Sequence, residues 1–333
     1  MNGAILLTIP EKSIEAIVTR AYGHETSLQA AQPVGGGSVN DVIALTFDHE
    51  PAAILRIAPS AEQAASGPSW LTSFGLRREQ AIIALLPHLA HLLPETVHAD
   101  FSRTLLDRDW VIQSFVRGTS WSELAASMTE KQHANVWHQT GSLARSIHVV
   151  RDNAFGLPND GEAGTRSPQW SDVLLYDAEG FLADAGRFGI DPGPFERLHA
   201  VITHHAGTLD VIAIPGMIHS DLDPRHIFLE PDGNREYRIS GLIDLEFGRF
   251  ADPLSESLIV QFAFDPNARA FADAFWQGYG SFPLAPGDDL RSLIYQGIAL
   301  SWVLTDLARL QRHTELAEVT SALNARLRQL ETR

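Results

Sequence analysis

The stretch HSDLDPRHIFLEPDGNREYRISGLIDLEFGRFADP, residues 219–253, holds the densest set of groups able to do chemistry. Within it, HIFLE and YRISGLI read as strands joined by a PDGN turn, because Asp-Gly between apolar runs signals a hairpin. Antiparallel strands put the residues before the first strand and those after the second at one end. His219, Asp221 and His226 are therefore expected beside Asp244 and Glu246. Carboxylates and imidazoles gathered against loop backbone suit a divalent cation with a general base next to it. Taken singly, each acid reads equally well as a strand or turn cap. As an ordered set, with an acid on either side of a hairpin and Ala251-Asp252-Pro253 following, they favour chemistry over capping. A second chemistry is also open: His219, Asp221 and His226 as Zn²⁺ ligands of a metal-dependent hydrolase.

The same segment resembles the catalytic-loop and DFG-equivalent motifs of the aminoglycoside phosphotransferase family, which shares the protein-kinase fold. The family pattern runs His-Gly-Asp-Leu, Asn after a few residues, a hairpin, then Ile-Asp-Trp-Glu leading to Gly-Asp-Pro. Here the positions read His219-Ser220-Asp221-Leu222, then His226, then Ile243-Asp244-Leu245-Glu246 and Ala251-Asp252-Pro253. The resemblance implies a kinase that moves the γ-phosphate of ATP or GTP to a hydroxyl of a small molecule, an aminoglycoside or related antibiotic. It implies Asp221 as catalytic base, Asp244 as the main Mg²⁺ ligand, and His226 in the place of the Asn that holds a second metal. Asp221 and Glu246 are expected to face the acceptor. His226 is a departure: Mg²⁺ prefers oxygen, so this imidazole either binds metal weakly or orients Asp221 and the phosphates.

The resemblance also implies a phosphate-covering loop, a strand cation and a helical acid upstream. PVGGGSVND, residues 33–41, supplies the loop, with Gly36, Gly37 and Ser38 letting backbone N–H groups approach phosphate oxygens. A plain hairpin turn explains that run equally well. Arg56 lies within the strand AAILRI, where a charge is costly without a partner, and Glu79 on the following helix is the partner. The family usually has Lys at this strand position; Arg offers a rigid fork of different reach. QSFVRG, residues 113–118, is similar to the family's linker, with Ser114 to Val116 expected to bind the purine. Asp160, Glu162, Asp172 and Asp177 read either as acids facing a polyamine sugar or, equally, as a solvated face. The atypical Arg56 and His226 leave room for an inactive nucleotide-binding regulator.

These groups need elements to hold them. Ile14, Ile17, Val18 and Ala21 recur at helical spacing between Glu11 and Gly23. Strand signals follow: SLQAAQPV, VIALTF, AAILRI, and later RTLL and WVIQSFV. One helix interrupts them, expected from Leu76 to Leu93 with Ile82, Leu85, Leu86 and Leu89 on one side, ending before Pro94. After Gly118 helical patterns take over. Thr129 and Gln132 form a capping box ahead of Val136, Thr140, Leu143 and Ile147, and two more helices are expected from about Asp288 to Arg333. Residues 151–170 read as a long loop. The fold class that follows is α+β and two-lobed, protein-kinase-like: an antiparallel-sheet lobe over 1–116 and a mainly helical lobe over 117–333.

The bulk numbers restrict partners. A chain of 333 residues with 44% hydrophobic side chains can bury a sizeable core. It has no cysteine, which excludes thiolate nucleophiles, thiolate metal sites and disulfides. The formal charge of −16 repels nucleic acid and anionic membranes and would welcome a cationic substrate, although solubility alone explains it. AILLTIP lacks a basic flank and meets Pro10, Glu11 and Lys12 at once, unlike a secretory signal, so a cytoplasmic location is expected.

Overall fold

The computed structural model describes residues 9–35, 39–158, 166–282 and 287–333. The first lobe is built on a five-stranded antiparallel sheet, in the order β1-β2-β3-β5-β4. Its strands are β1 (Leu28–Pro33), β2 (Asp41–Phe47), β3 (Ala53–Ile57), β4 (Thr96–Asp100) and β5 (Trp110–Ser114). Helix α1 (Glu11–Tyr22) lays Ile14, Ile17 and Val18 against Ile43, Leu45, Leu55 and Ile112 of one sheet face. Helices α2 (Ala61–Ser66) and α3 (Gly75–Leu85) fill the long connection from β3 to β4.

Two details differ from the pattern read in the sequence. The helix expected to run to Leu93 stops at Leu85, because Pro87 disfavours helical backbone at Leu86 (φ −115°, ψ 44°) and starts a 3₁₀ turn instead. Leu85 is consequently exposed while Ile82, Leu86 and Leu89 are buried. RTLL is not a strand: Arg103 sits at φ 57° with its guanidinium on Asp109, and the edge strand is the less apolar Thr96–Asp100.

In the second lobe, β6 (Thr119–Ser120), β8 (Ile227–Pro231) and β9 (Tyr237–Leu242) make a three-stranded antiparallel sheet, and β7 (Gly216–Ile218) pairs with β10 (Arg249–Ala251). The hairpin β8-β9 is the one the Asp-Gly turn predicts. Around it lie α4 (Trp121–Leu124), α5 (Glu130–His148), α6 (Trp170–Phe188), α7 (Gly193–His204) and α8 (Ala206–Leu209). The chain closes with α9 (Ser257–Gln261), α10 (Pro266–Ala270), α11 (Ala272–Tyr279), α12 (Asp288–Arg309) and α13 (His313–Glu331). Thr129 caps α5 with the reciprocal Gln132 bond, and Val136, Thr140, Leu143 and Ile147 are all buried. Helix α5 crosses α11 so closely that a Cβ on Gly278 would stand 1.8 Å from the His138 carbonyl oxygen. Helices α6, α7, α12 and α13 enclose the largest apolar core.

Candidate active site

The loop between β7 and β8 carries His219, Asp221 and His226, and the turn after β9 carries Asp244. Ser220 (φ 67°) and Asp244 (φ 68°) are both left-handed, a backbone that L-residues adopt only where the surroundings fix it. Those two turns aim Asp221 and Asp244 at a common point. Asp221, His226 and Asp244 each present a ligand atom within 4.8 Å of the other two. The His226 Nδ1–H donates to the Asp221 carbonyl oxygen at 2.9 Å, which turns Nε2 towards the Asp244 Oδ2 atom 3.4 Å away. A lone pair on Nε2 and a carboxylate oxygen at that distance need a cation between them or a proton on the ring.

His219 is placed differently. Its ring is fully buried, Nε2–H donates to the Ile243 carbonyl oxygen at 3.0 Å, and Nδ1 accepts from the Asp221 backbone N–H at 3.3 Å. Both ring nitrogens are thus engaged, so His219 ties the two turns together and is no ligand; the Zn²⁺ set of His219, Asp221 and His226 is not assembled. Behind it, Glu256 accepts from the His219 backbone N–H at 2.7 Å and from His148 Nε2 at 3.3 Å. Burial would raise Glu256, but His148 and His219 together outweigh it and hold the carboxylate below its usual range.

The first lobe meets this centre through Arg56. Its Nη1 bonds both Glu79 oxygens at 2.6 and 2.7 Å, while Nη2 reaches the Asp244 Oδ1 atom at 3.0 Å. Burial would depress Arg56, yet Glu79, Asp244 and Glu246 around it hold it firmly ionised. Glu246 does not line the large cleft. It is 2% exposed, accepts from Asn40 Nδ2 at 2.8 Å, and lies 3.8 Å from Arg56. Gly75 lets α3 approach it, since a Cβ there would stand 2.6 Å from the Glu246 Oε2 atom.

Three carboxylates, Glu79, Asp244 and Glu246, therefore surround one guanidinium, and Asp221 adds a fourth negative group beside Asp244. The imbalance is visible in their titration. Burial, then the Asp244 charge, pushes Glu246 up to about 7. Burial raises Asp221 despite His226 and His219, and 35% of its side chain opens onto the cleft. Burial would raise Asp244 too, but Arg56 and His226 bring it below the usual range. This excess of negative charge and the oxygen-rich donor set fit a divalent cation, with Asp244 and His226 Nε2 as the residues to hold it.

The remaining expected residues fall as follows. Gly36, Gly37 and Ser38 lie outside the described residues, as do Asp160 and Glu162; Asn40, just past the glycine run, is the loop residue seen at the centre. Ser114 ends β5 and Val116 follows it where the lobes join, with Ser114 bonded to Glu95 through both N–H and Oγ. Asp177 is held by Arg249 at 2.7 Å, and Asp172 accepts from Ser167 Oγ. Asp221 stands on the floor of a cleft of about 1060 Å³ between α6, α12 and the segment Ser69–Thr72. The sequence reading missed Asn40, Arg78, Glu256 and the aromatic wall of that cleft. Arg78, which donates to the Glu246 carbonyl oxygen at 3.2 Å, could have been noticed as the neighbour of Glu79.

A family model described as "Phosphotransferase enzyme family" matches residues 30–293, which span both the Arg56 strand and the 219–253 segment. The chain belongs to that family. As a small-molecule phosphotransferase it has solved structural neighbours of the same kinase-like fold. One is a thermostable mutant of the aminoglycoside phosphotransferase APH(4)-Ia in its apo form, at 16% identity and TM-score 0.67, covering 95% of this chain and 98% of that one. Another is APH(2")-IIIa with GDP and kanamycin, at 15% identity and TM-score 0.65, covering 94% and 97%. A comparison with curated protein sequences returned no match. Among the described residues of the phosphotransferase, no helix is long and apolar enough to cross a membrane.

Proposed function

We propose that this phosphotransferase transfers the γ-phosphoryl group of ATP or GTP to an alcohol, with Asp221 as the catalytic base. The observation that carries the reading is the convergence of Asp221, His226 and Asp244 under the Arg56–Glu79 pair, at the floor of an open cleft. The acceptor hydroxyl would donate a hydrogen bond to the exposed Asp221 carboxylate. As its oxygen forms the new bond to phosphorus, the bond to the bridging oxygen breaks, the nucleoside diphosphate leaves, and the proton passes to Asp221. Arg56, fixed by Glu79, would steady the α- and β-phosphates, and the backbone from Ser114 to Val116 would meet the purine. Mg²⁺ held by Asp244 and His226 would supply charge neutralisation to the triphosphate.

Structural neighbours described with GDP, with AMP-PNP and with ADP support a nucleotide as donor. Complexes among them with kanamycin, hygromycin B and gentamicin support a small-molecule acceptor. The regulator reading is disfavoured by the complete Arg56–Glu79–Asp244 chain, which a protein with no turnover has no need to keep aligned. The reading places the enzyme in the cytoplasm, where nucleoside triphosphates are available.

Measuring nucleoside diphosphate release against a panel of alcohols, with wild type and Asp221→Asn side by side, tests it. Loss of the base should lower turnover by roughly 10²–10⁴-fold with the melting temperature unchanged. An Asp221→Asn protein as active as the parent, on any acceptor the parent phosphorylates, removes the assignment.

A further inference from the structure

The described walls of the cleft above Asp221 carry few carboxylates and much aromatic surface. The cleft's volume of about 1060 Å³ stands at the upper end of ligand pockets. On its described walls the acids are Asp177, Glu179 and Asp221, against Arg78, Arg166, Arg225 and Arg249. Asp177 is neutralised by Arg249 at 2.7 Å, and Asp221 is reserved for the acceptor hydroxyl. That leaves Glu179 as the single carboxylate for which the described structure shows no such engagement. A polyamine needs several carboxylates to replace the water it sheds, and burying ammonium groups beside arginines without them is unfavourable.

What the walls offer instead is apolar surface. Trp70 and Trp302 stack with centroids 5.0 Å apart and planes 15° from parallel, and Phe247 meets both edge-on at 5.9 and 5.5 Å. Phe247 belongs to the same 3₁₀ turn as Glu246, immediately after Asp244, so the aromatic wall begins at the catalytic centre. Tyr176 (54% exposed), Phe264 (39%) and Val303 (46%) continue it towards the opening. Large apolar side chains left in water along one cavity mark a surface that something covers.

The wall is also held in place deliberately. Trp70 comes from the connection between α2 and α3, yet it is seated on the second lobe. The fully buried Asp184 of α6 accepts from the Ser69 N–H at 2.8 Å and from Ser69 Oγ at 2.9 Å, and Arg187 donates to the Gly67 carbonyl. Trp70 Nε1–H donates to Thr305 Oγ1 at 3.3 Å. Gly180 makes room for the crossing, since a Cβ there would stand 2.5 Å from Ser69 Oγ. A buried carboxylate spent on one loop fixes the position of one indole.

We infer that the acceptor is a large alcohol with a broad apolar face and at most one positive charge, seated on Trp70, Phe247 and Trp302 with its hydroxyl at Asp221. The inference rests on the phosphotransfer reading above, and the two are separable by experiment. The probes are erythromycin and digitoxigenin, as apolar-faced alcohols, against kanamycin and neomycin. Binding is measured calorimetrically on the full chain with and without ATP, and phosphate transfer is measured in parallel. The expected result is that at least one apolar probe binds and is phosphorylated with kcat/KM about 10²-fold or more above either polyamine. Val303→Glu, on a half-exposed position of α12, should raise its KM about tenfold with kcat nearly unchanged, and Trp302→Ala should do the same more strongly. Kanamycin or neomycin phosphorylated as well as the apolar probes, or no binding of either apolar probe, overturns the inference while phosphotransfer stands. An apolar probe that binds through Val303 and Trp302 in a protein that never binds ATP upholds the lining and sinks the kinase reading instead.

Discussion

Arg56 Nη2 lies 3.0 Å from the Asp244 Oδ1 atom, so the strand cation of the sheet lobe touches the acid of the helical lobe directly. A guanidinium can grip Glu79 with one nitrogen and Asp244 with the other, which an ammonium on a longer tether cannot do in one plane. Replacing Arg56 by Lys should therefore raise the KM for nucleotide about tenfold or more, with a smaller change in kcat. Steady-state kinetics with varied ATP decides it; an unchanged KM would show that the fork is not used on phosphate.

Removing the cation altogether should cost more than binding. Arg56→Ala leaves Glu79 buried without its charged partner, and breaking a buried pair in this way is destabilising by about 3–5 kcal/mol. Chemical denaturation of the two variants should place Arg56→Lys well above Arg56→Ala in stability.

Acid stability should depend on Asp109. Burial would raise its pKa, but the hydrogen bonds from Arg77 and Arg103 win and hold it below the usual carboxylate range. A carboxyl lowered in the folded state contributes stability that is present above the unfolded value near 3.9 and is lost as pH falls through the folded value. Asp109→Asn should be less stable than wild type at pH 7, with the gap closing as pH drops below about 4. Melting temperatures recorded from pH 7 to pH 3 would show parallel curves if Asp109 does not matter.

The crossing of α5 and α11 predicts a steric limit. Gly278→Ala would drive a methyl into the His138 carbonyl, a backbone atom that cannot swing aside, and should cost about 3 kcal/mol or more. Gly186, whose Cβ would meet nothing within 4 Å, is the control on which Ala should be neutral or stabilising.

Asp184→Ala should separate the two substrates kinetically. The change frees the Ser69–Trp70 segment without touching Arg56 or Asp221, so the acceptor KM should rise while nucleotide binding stays as it was. Titrating donor and acceptor separately checks this.

The parts of the site written in local chemistry were legible from the chain. The Asp-Gly hairpin and the Thr129–Gln132 box each follow from a rule that acts over a turn; the cost of a lone buried charge called for a partner to Arg56, and the family resemblance named Glu79. Glu246 was less legible, because the side-chain direction of a residue in a 3₁₀ turn depends on what packs above it. Here that is α3, admitted by Gly75. The aromatic wall was not legible at all: Trp70, Phe247 and Trp302 are 55 or more positions apart, and no periodicity links residues that meet only through tertiary packing. Thr96–Asp100 became a strand through pairing with Trp110–Ser114, against the stronger apolar run of RTLL.

The strap from Gly67 to Trp70 ties the sheet lobe to the helical lobe through Asp184 and Thr305, beside the continuous chain after β5 and the Arg56–Asp244 and Asn40–Glu246 bonds. Anything that parts the Arg56–Asp244 and Asn40–Glu246 contacts would leave the Trp70 indole anchored to the helical lobe.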